Sequence, residues 1–408
     1  MANRGKTLDK QVHCIKDLER LGSSKMPKAY RAQDCKNTDN GCSEYYNEGA
    51  MDLITLRENE SAYNRYMIRP RVLRNLSTID TSTTIVGCKV KFPFGFSPTA
   101  MQTLAHPDGE EGTSKACANF NTLMGLSNYA TKNLEQVIAH SKGNPYVMQM
   151  SLLKNKAAMI QVIKRADAAG FKALFVTLDV PYLGRRLNEY RNNFGVPKGM
   201  EYPNLFPGVD VTNLEDGDES MAYDNSLEWP DIVPFIRQYT NMQIWGKGIY
   251  TAADAELAIK YGFDGIIISN HGGRQLDSVP ASLDVLREIA PVAKGKIPIA
   301  VDGGIRRGTD IFKALALGAD FCLAGRPAIW GLAVCLLSSF FSQFHQSHKV
   351  ASLTDWFQYD GQKGVELALN LLYDEFKTCM ALAGCKNVSE IQKEHVSLLL
   401  PDGRLLKL

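Results

Sequence analysis

Eight short apolar runs rich in β-branched and aromatic residues recur along this chain, at 92–98, 122–127, 146–151, 173–179, 243–247, 265–270, 297–302 and 321–325. Between most of them lies a stretch with helical spacing: 108–120, 133–140, 156–169, 252–261, 282–293 and 309–317. Parallel strands cannot be joined by tight turns. Each needs a crossover long enough to hold a helix, so this alternation predicts a parallel sheet. Eight units is the number that closes a TIM (β/α)8 barrel. A doubly wound open sheet is the competing α/β arrangement. No G-x-G-x-x-G follows the first run, which weakens it.

The expected layout is an N-terminal helical extension over 1–90, a barrel over 91–385 and a C-terminal tail over 386–408. Helical spacing over 367–384 suggests a closing helix. One interruption breaks the alternation. From 193 to 231 the chain is polar and turn-rich, with Pro207-Gly208 and Glu215-Asp216-Gly217-Asp218. It follows the fourth strand, where a barrel places its catalytic loops, and it reads either as a mobile lid or as a disordered excursion.

Composition narrows the class. The chain has 408 residues, 45% of them hydrophobic, which is ample for a full core. Its 46 basic and 44 acidic side chains leave a net charge of +2, and nothing in that balance calls for nucleic acid or an anionic membrane. Nine cysteines are scattered without a C-x-x-C pair. Cys88, Cys117, Cys322 and Cys335 lie in apolar surroundings and read as reduced core residues of an intracellular protein. Cys35 and Cys42, in a polar stretch, are the one pair of interest. No basic-then-apolar leader is present, so no signal peptide is expected. The apolar run 327–344 carries Ser and Gln and reads as a buried helix rather than a membrane span. The last residues, Leu406-Lys407-Leu408, are one substitution from the peroxisomal S-K-L address, so the expected location is cytoplasmic or peroxisomal.

Chemistry in such a barrel gathers at the C-terminal ends of the strands. The sixth run ends in Ser269-Asn270-His271-Gly272-Gly273-Arg274-Gln275-Leu276-Asp277. It sets a proton acceptor, His271, beside a guanidinium, Arg274, with glycines that let a ligand approach the backbone. A site that oxidises a small hydroxy acid needs both groups. Asp179, ending the fourth strand, can hydrogen-bond an imidazole and stabilise its protonated form. Arg186 follows closely. Lys247 lies in an apolar strand, where a buried cation needs a partner or a job beside an electron-accepting ring. Ser127, Gln149 and Thr177 end the second, third and fourth strands with groups suited to the polar edge of a heterocycle, and Pro98-Thr99-Ala100 let a flat ring lie against the backbone. Asp302-Gly303-Gly304-Ile305-Arg306 and Gly325-Arg326 end strands seven and eight. TIM barrels often hold a phosphate there, so a phosphorylated cofactor is expected. No metal is called for.

Together these residues resemble the FMN-dependent α-hydroxy acid oxidase and dehydrogenase family, which includes glycolate oxidase, lactate oxidase, mandelate dehydrogenase and the flavin domain of flavocytochrome b2. The match runs from Tyr45-Tyr46-Asn47-Glu48-Gly49-Ala50 to Glu394. The resemblance implies FMN as cofactor and oxidation of an L-2-hydroxy acid to a 2-oxo acid, with oxygen (giving hydrogen peroxide) or another acceptor taking the electrons. It implies His271 as the base with Asp179 as its partner, and Arg186 and Arg274 on the substrate carboxylate with Tyr45 assisting. Tyr129 would line the pocket. Lys247 would sit near the flavin N1 and O2 edge. Asp302, Gly303, Gly304, Arg306, Gly325 and Arg326 would surround the phosphate, with Pro98, Thr99, Ala100, Ser127, Gln149, Thr177 and Ser269 lining the rest. A homotetramer is implied as well. Two departures stand out. Where the family usually reads Gln-Leu-Tyr, this chain has Gln149-Met150-Ser151, which leaves space and suggests a larger or different acid. A polar stretch over 32–43 is inserted before Tyr45. The first departure keeps an alternative open, an FMN-binding barrel with lost or altered turnover that serves binding or regulation.

Overall fold

A computed structural model of the chain describes residues 8–9, 11–26, 45–192, 194–213, 219–334 and 361–408. Eight parallel strands close into a barrel: β1 (Phe94–Phe96), β2 (Leu123–Leu126), β3 (Tyr146–Ser151), β4 (Ala173–Thr177), β5 (Gln243–Ile249), β6 (Gly265–Ile268), β7 (Ile299–Asp302) and β8 (Phe321–Ala324), with β8 returning to pair with β1. These are the eight runs of the sequence: Tyr146–Ser151 keeps its limits, Gln243–Ile249 runs two residues further, and the other six are trimmed at their ends. The TIM barrel expected from the alternation is the fold.

Side chains in a strand point alternately in and out, and that period explains the interior. Leu123, Val147, Phe175, Trp245, Ile267, Phe321 and Leu323 form one buried cluster inside the barrel. Two residues further along the same strands, the inward positions turn polar: Gln149, Thr177, Lys247 and Ser269. The registers Ser151↔Thr177 and Thr177↔Lys247 bring the polar ends of β3, β4 and β5 to one level. An apolar plug therefore supports a polar rim. Below the plug, a hairpin of Thr83–Ile85 with Cys88–Val90 adds Ile85, Val86 and Val90 to the same cluster.

The outer helices follow the expected stretches. Lys156–Ala169 and Ser282–Ala293 have the anticipated limits, and the closing helix begins earlier, at Gly361, and runs to Ala383. Part of the apolar run 327–344 forms the helix Arg326–Ala333, whose Pro327 to Ala333 are all buried. Cys117 and Cys322 are free and buried, and Cys88 is half-buried. Cys35, Cys42, Cys335, the insertion at 32–43 and the rest of the run to 344 lie outside the described residues.

Two expectations need correction. The N-terminal extension was expected to be helical. Ile15–Lys25 and Ile54–Arg65 are helices, but Tyr66–Ile68, Thr83–Ile85 and Cys88–Val90 are strands. The segment expected as a C-terminal tail over 386–408 contains paired strands: Val396–Leu399 pairs antiparallel with Tyr66–Ile68 on one side and Leu405–Lys407 on the other. Both corrections share one cause. These strands are too short to show a period, and the pairing of Tyr66–Ile68 with Val396–Leu399 forms only where the two ends of the chain meet. The described parts of the 193–231 stretch are stitched to the barrel. Asn204 accepts from the Leu134 amide at 2.8 Å, and Gln161 donates to the Asn204 carbonyl at 2.7 Å.

Candidate active site

The polar rim is built from two hydrogen-bonded runs. The Gln149 carboxamide accepts from Ser127 Oγ at 3.2 Å and donates to Thr177 Oγ1 at 3.0 Å and Ser151 Oγ at 3.2 Å. Lys247 Nζ donates to Ser269 Oγ at 3.0 Å and lies 3.8 Å from Asp302 Oδ2, which also accepts from Ser97 Oγ at 3.0 Å. Lys247 and Asp302 are both buried. Each is the counter-charge that makes burial of the other tolerable.

Above the rim stands the β6 turn. His271 donates its backbone amide to Ser269 Oγ at 3.1 Å, and its Nδ1 is 3.3 Å from Asp179 Oδ1. Burial and the charge of Lys247 push the imidazole pKa below its ordinary value, against the pull of Asp179. Burial raises Asp179, but the charges of His271 and Lys247 outweigh it and hold that carboxyl below the usual aspartate value. A neutral imidazole paired with a carboxylate is the arrangement of a general base whose protonated form is stabilised as it appears.

Four arginines face the same space. Arg186 Nε donates to the Arg274 carbonyl at 3.3 Å. The Arg274 guanidinium lies 4.6 Å from the Tyr45 ring centre and donates to the Tyr45 carbonyl. Burial and the charge of Arg186 push Arg274 down to about 10, and burial with the charges of Arg306 and Arg274 pushes Arg326 down to about 9. Crowded, desolvated cations of this kind are anion sites. Arg326 donates to the carbonyls of Tyr46, Glu48 and Gly272, while Arg306 Nη2 pairs with Glu60 Oε1 at 2.9 Å. Gly304 has φ +79°, and a Cβ there would fall 1.8 Å from the Asn59 carbonyl oxygen. Only glycine fits that contact with the helix Ile54–Arg65.

A cavity of about 450 Å³ joins these groups. Of the residues singled out in the sequence, Tyr45, Pro98, Thr99, Ala100, Ser127, Tyr129, Gln149, Ser151, Thr177, Arg186, Lys247, His271, Arg274, Asp302, Gly303, Gly304, Arg306, Gly325 and Arg326 line it. Asp179 and Ser269 stand one bond behind, on His271 and Lys247.

A family model described as FMN-dependent dehydrogenase matches residues 35–335 and 356–398. The chain belongs to this family of FMN-dependent oxidoreductases. It is 47% identical to Oxidase FUB9 of Fusarium oxysporum over 97% of this chain and 94% of that one. It is 39% identical to Glycolate oxidase 3 of Arabidopsis thaliana over 95% and 96%. A crystal structure of mandelate oxidase superposes with a TM-score of 0.79 at 30% identity, covering 95% of this chain and 99% of that one.

The residues present fit FMN. Asp302 Oδ1 and Arg306 Nε are buried beside the cavity with no hydrogen-bond partner among the described residues, so a polar guest is required there. The rim from Ser127 to Ser269 offers donors and acceptors at one level for a heterocycle edge. Arg306, Arg326 and the glycine turns after β7 and β8 offer charge and amides for a phosphate.

Sequence reading missed several lining residues. Glu189 places one carboxylate oxygen 3.2 Å from Arg186 Nη1 and 3.4 Å from Arg274 Nη2. Gln275 donates to the carbonyls of Asp179 and Tyr182, at 3.0 and 2.9 Å, and so ties the β4 and β6 loops together. Phe194, Val196, Tyr202, Met221 and Tyr223 reach the cavity from the long loop. Gln275 sits inside the motif already singled out. The loop residues carried no periodic signal.

Proposed function

We propose that this chain oxidises an L-2-hydroxy acid to the corresponding 2-oxo acid, with His271 as the base. The observation that carries this reading is the His271–Asp179 pair facing the Arg186 and Arg274 guanidiniums across one cavity. FMN, when bound, supplies the two-electron acceptor. Arg186 and Arg274, with Tyr45 beside them, would take the substrate carboxylate in place of Glu189. That fixes the hydroxylated carbon toward His271, which accepts a proton, and Asp179 stabilises the imidazolium so formed. Lys247 would stand at the flavin N1 and O2 edge, placing positive charge where negative charge develops. Gln149, Thr177, Ser127 and Ser269 would hold the heterocycle against Pro98, Thr99 and Ala100. Asp302, Gly303, Gly304, Arg306, Gly325 and Arg326 would surround the phosphate end.

Tyr129, Phe194, Val196, Tyr202 and Met221 make the outer wall largely apolar, which supports an acid with a bulky apolar side chain. A mutant of a mandelate oxidase relative has been crystallised with (S)-mandelic acid. Oxygen as the final acceptor, taking two electrons and two protons to give hydrogen peroxide, is supported by relatives named oxidases. We also infer a homotetramer, from the family resemblance, and a cytoplasmic or peroxisomal location, from Leu406-Lys407-Leu408.

The test is an anaerobic panel of (S)-2-hydroxy acids mixed with the yellow holoprotein. Bleaching of the flavin band by acids with apolar side chains, followed by one peroxide per turnover on admitting air, is expected. No bleaching by any acid would sink this reading and leave a flavin-binding barrel without turnover.

A further inference from the structure

The end of β3 carries a small side chain, Ser151, and the structure shows what surrounds it. Tyr129, from the turn after β2, lines the cavity together with Ser151 and Tyr223 and packs edge-on against Tyr202, with ring centres 5.4 Å apart. Tyr223 belongs to the long loop after β4 and lines the same cavity as Arg186. Its direction is set by the backbone. Leu153 and Tyr223 form an antiparallel bridge, flanked by Lys154 N donating to the Ala222 carbonyl and Asp224 N donating to the Leu152 carbonyl, both at 2.9 Å. Such a bridge sends alternate side chains to opposite faces, so its register decides that Tyr223 turns toward the site. The turn that follows is locked by Asp224 Oδ1, which accepts from the Ser226 amide at 3.1 Å and its hydroxyl at 2.6 Å. Two phenols, Tyr129 and Tyr223, therefore face the cavity that Arg186 lines, where β3 itself presents only a serine.

We propose that Tyr223 is a substrate-contacting residue, delivered by the loop after β4, whose hydroxyl hydrogen-bonds the oxygen on the carbon next to the substrate carboxylate. This rests on the hydroxy acid reading above. With the carboxylate on Arg186 and Arg274, the neighbouring oxygen is the group left to a phenol lining the same cavity. The Leu153–Tyr223 bridge keeps that phenol oriented, and Ser151 leaves room for it.

The variant Tyr223→Phe removes one oxygen and keeps the ring, so packing is retained. Holoenzyme is titrated with oxalate, which carries oxygen on the adjacent carbon, and with propionate, which does not, each followed by perturbation of the flavin absorbance. Loss of a hydrogen bond to a charged partner corresponds to a roughly tenfold weaker oxalate affinity, with propionate affinity and Tm unchanged. The rate of anaerobic flavin reduction by the best acid of the panel falls by a similar factor. An equal shift for both carboxylates would mean a structural role only, and no shift for either would mean no contact. Both outcomes overturn the proposal. Failure of the wild-type holoenzyme to be reduced by any acid would instead sink the hydroxy acid reading, while the oxalate-to-propionate comparison still reports on Tyr223.

Discussion

His271 has φ +57°, a left-handed backbone that costs a non-glycine residue roughly 1 kcal/mol or more. Gly272 and Gly273 continue the turn at +65° and +75°. The strain is held by a reciprocal amide pair, Asn59 and Asn270, with contacts of 2.9 and 2.7 Å, and by the Gly273 amide on Asn270 Oδ1 at 3.0 Å. Replacing His271 with Ala is expected to leave flavin content intact and lower the rate of flavin reduction by about 10²–10⁴-fold; stopped-flow absorbance checks it. The pH dependence follows from the charges. The base must be neutral, and burial with Lys247 lowers its pKa, so the acid limb of kcat/KM falls below the ordinary histidine value of about 6.5. Asp179 raises that pKa. In Asp179→Asn the limb moves to still lower pH while the maximal rate drops, because the imidazolium loses its counter-charge. A limb that moves upward would contradict the pairing.

At the scale of elements, strands that switch from apolar to polar along one face determine where the site lies. The switch depends on tight filling of the plug below it. Gly265 opens β6 against the Trp245 indole, and a Cβ there would fall 2.2 Å from the ring. Gly265→Ala should cost about 1–3 kcal/mol in urea unfolding, and Trp245→Leu in the same chain should recover part of it. No recovery would place the cost elsewhere. The helix Ile54–Arg65 shows how elements lock together across the chain. Its N-terminal residue has no side-chain cap of its own. Asp277, at the far end of the His271 motif, accepts from the amides of Asp52 at 3.0 Å and Thr55 at 2.8 Å. The orphaned Thr55 amide of the helix is thus satisfied by the loop that carries His271.

Over the whole molecule, the cofactor site proposed above would draw on all eight strand ends and on the helix Ile54–Arg65, so the folded barrel would have the site and the unfolded chain would not. FMN at a hundredfold excess over its Kd should stabilise the flavin-stripped protein by about 2.7 kcal/mol, read as a rise in Tm. Riboflavin, which lacks the phosphate, should raise Tm less, because Arg306 and Arg326 gain no anion. Equal shifts would remove the phosphate from that end of the cavity.

The β/α alternation, the polar rim and the His271–Arg274 motif were legible in the linear chain, because each is a local pattern. Period two tells which strand residues face inward, and a strand's last inward residue faces the mouth. For that reason Ser127, Gln149, Thr177 and Lys247 could be placed without coordinates. The positions of Glu189, Gln275 and Tyr223 could not. A loop side chain has no period, and its direction is set by partners distant in sequence, as the Leu153–Tyr223 bridge and the Gln275 contacts to the β4 loop show. The same holds for Asp277, which caps a helix more than two hundred residues before it. Sequence alone therefore determined the barrel, its catalytic end and the class of chemistry. Tertiary closure decided which side chains wall the substrate space, because only closure brings the loop after β4 against the ends of β2 and β3.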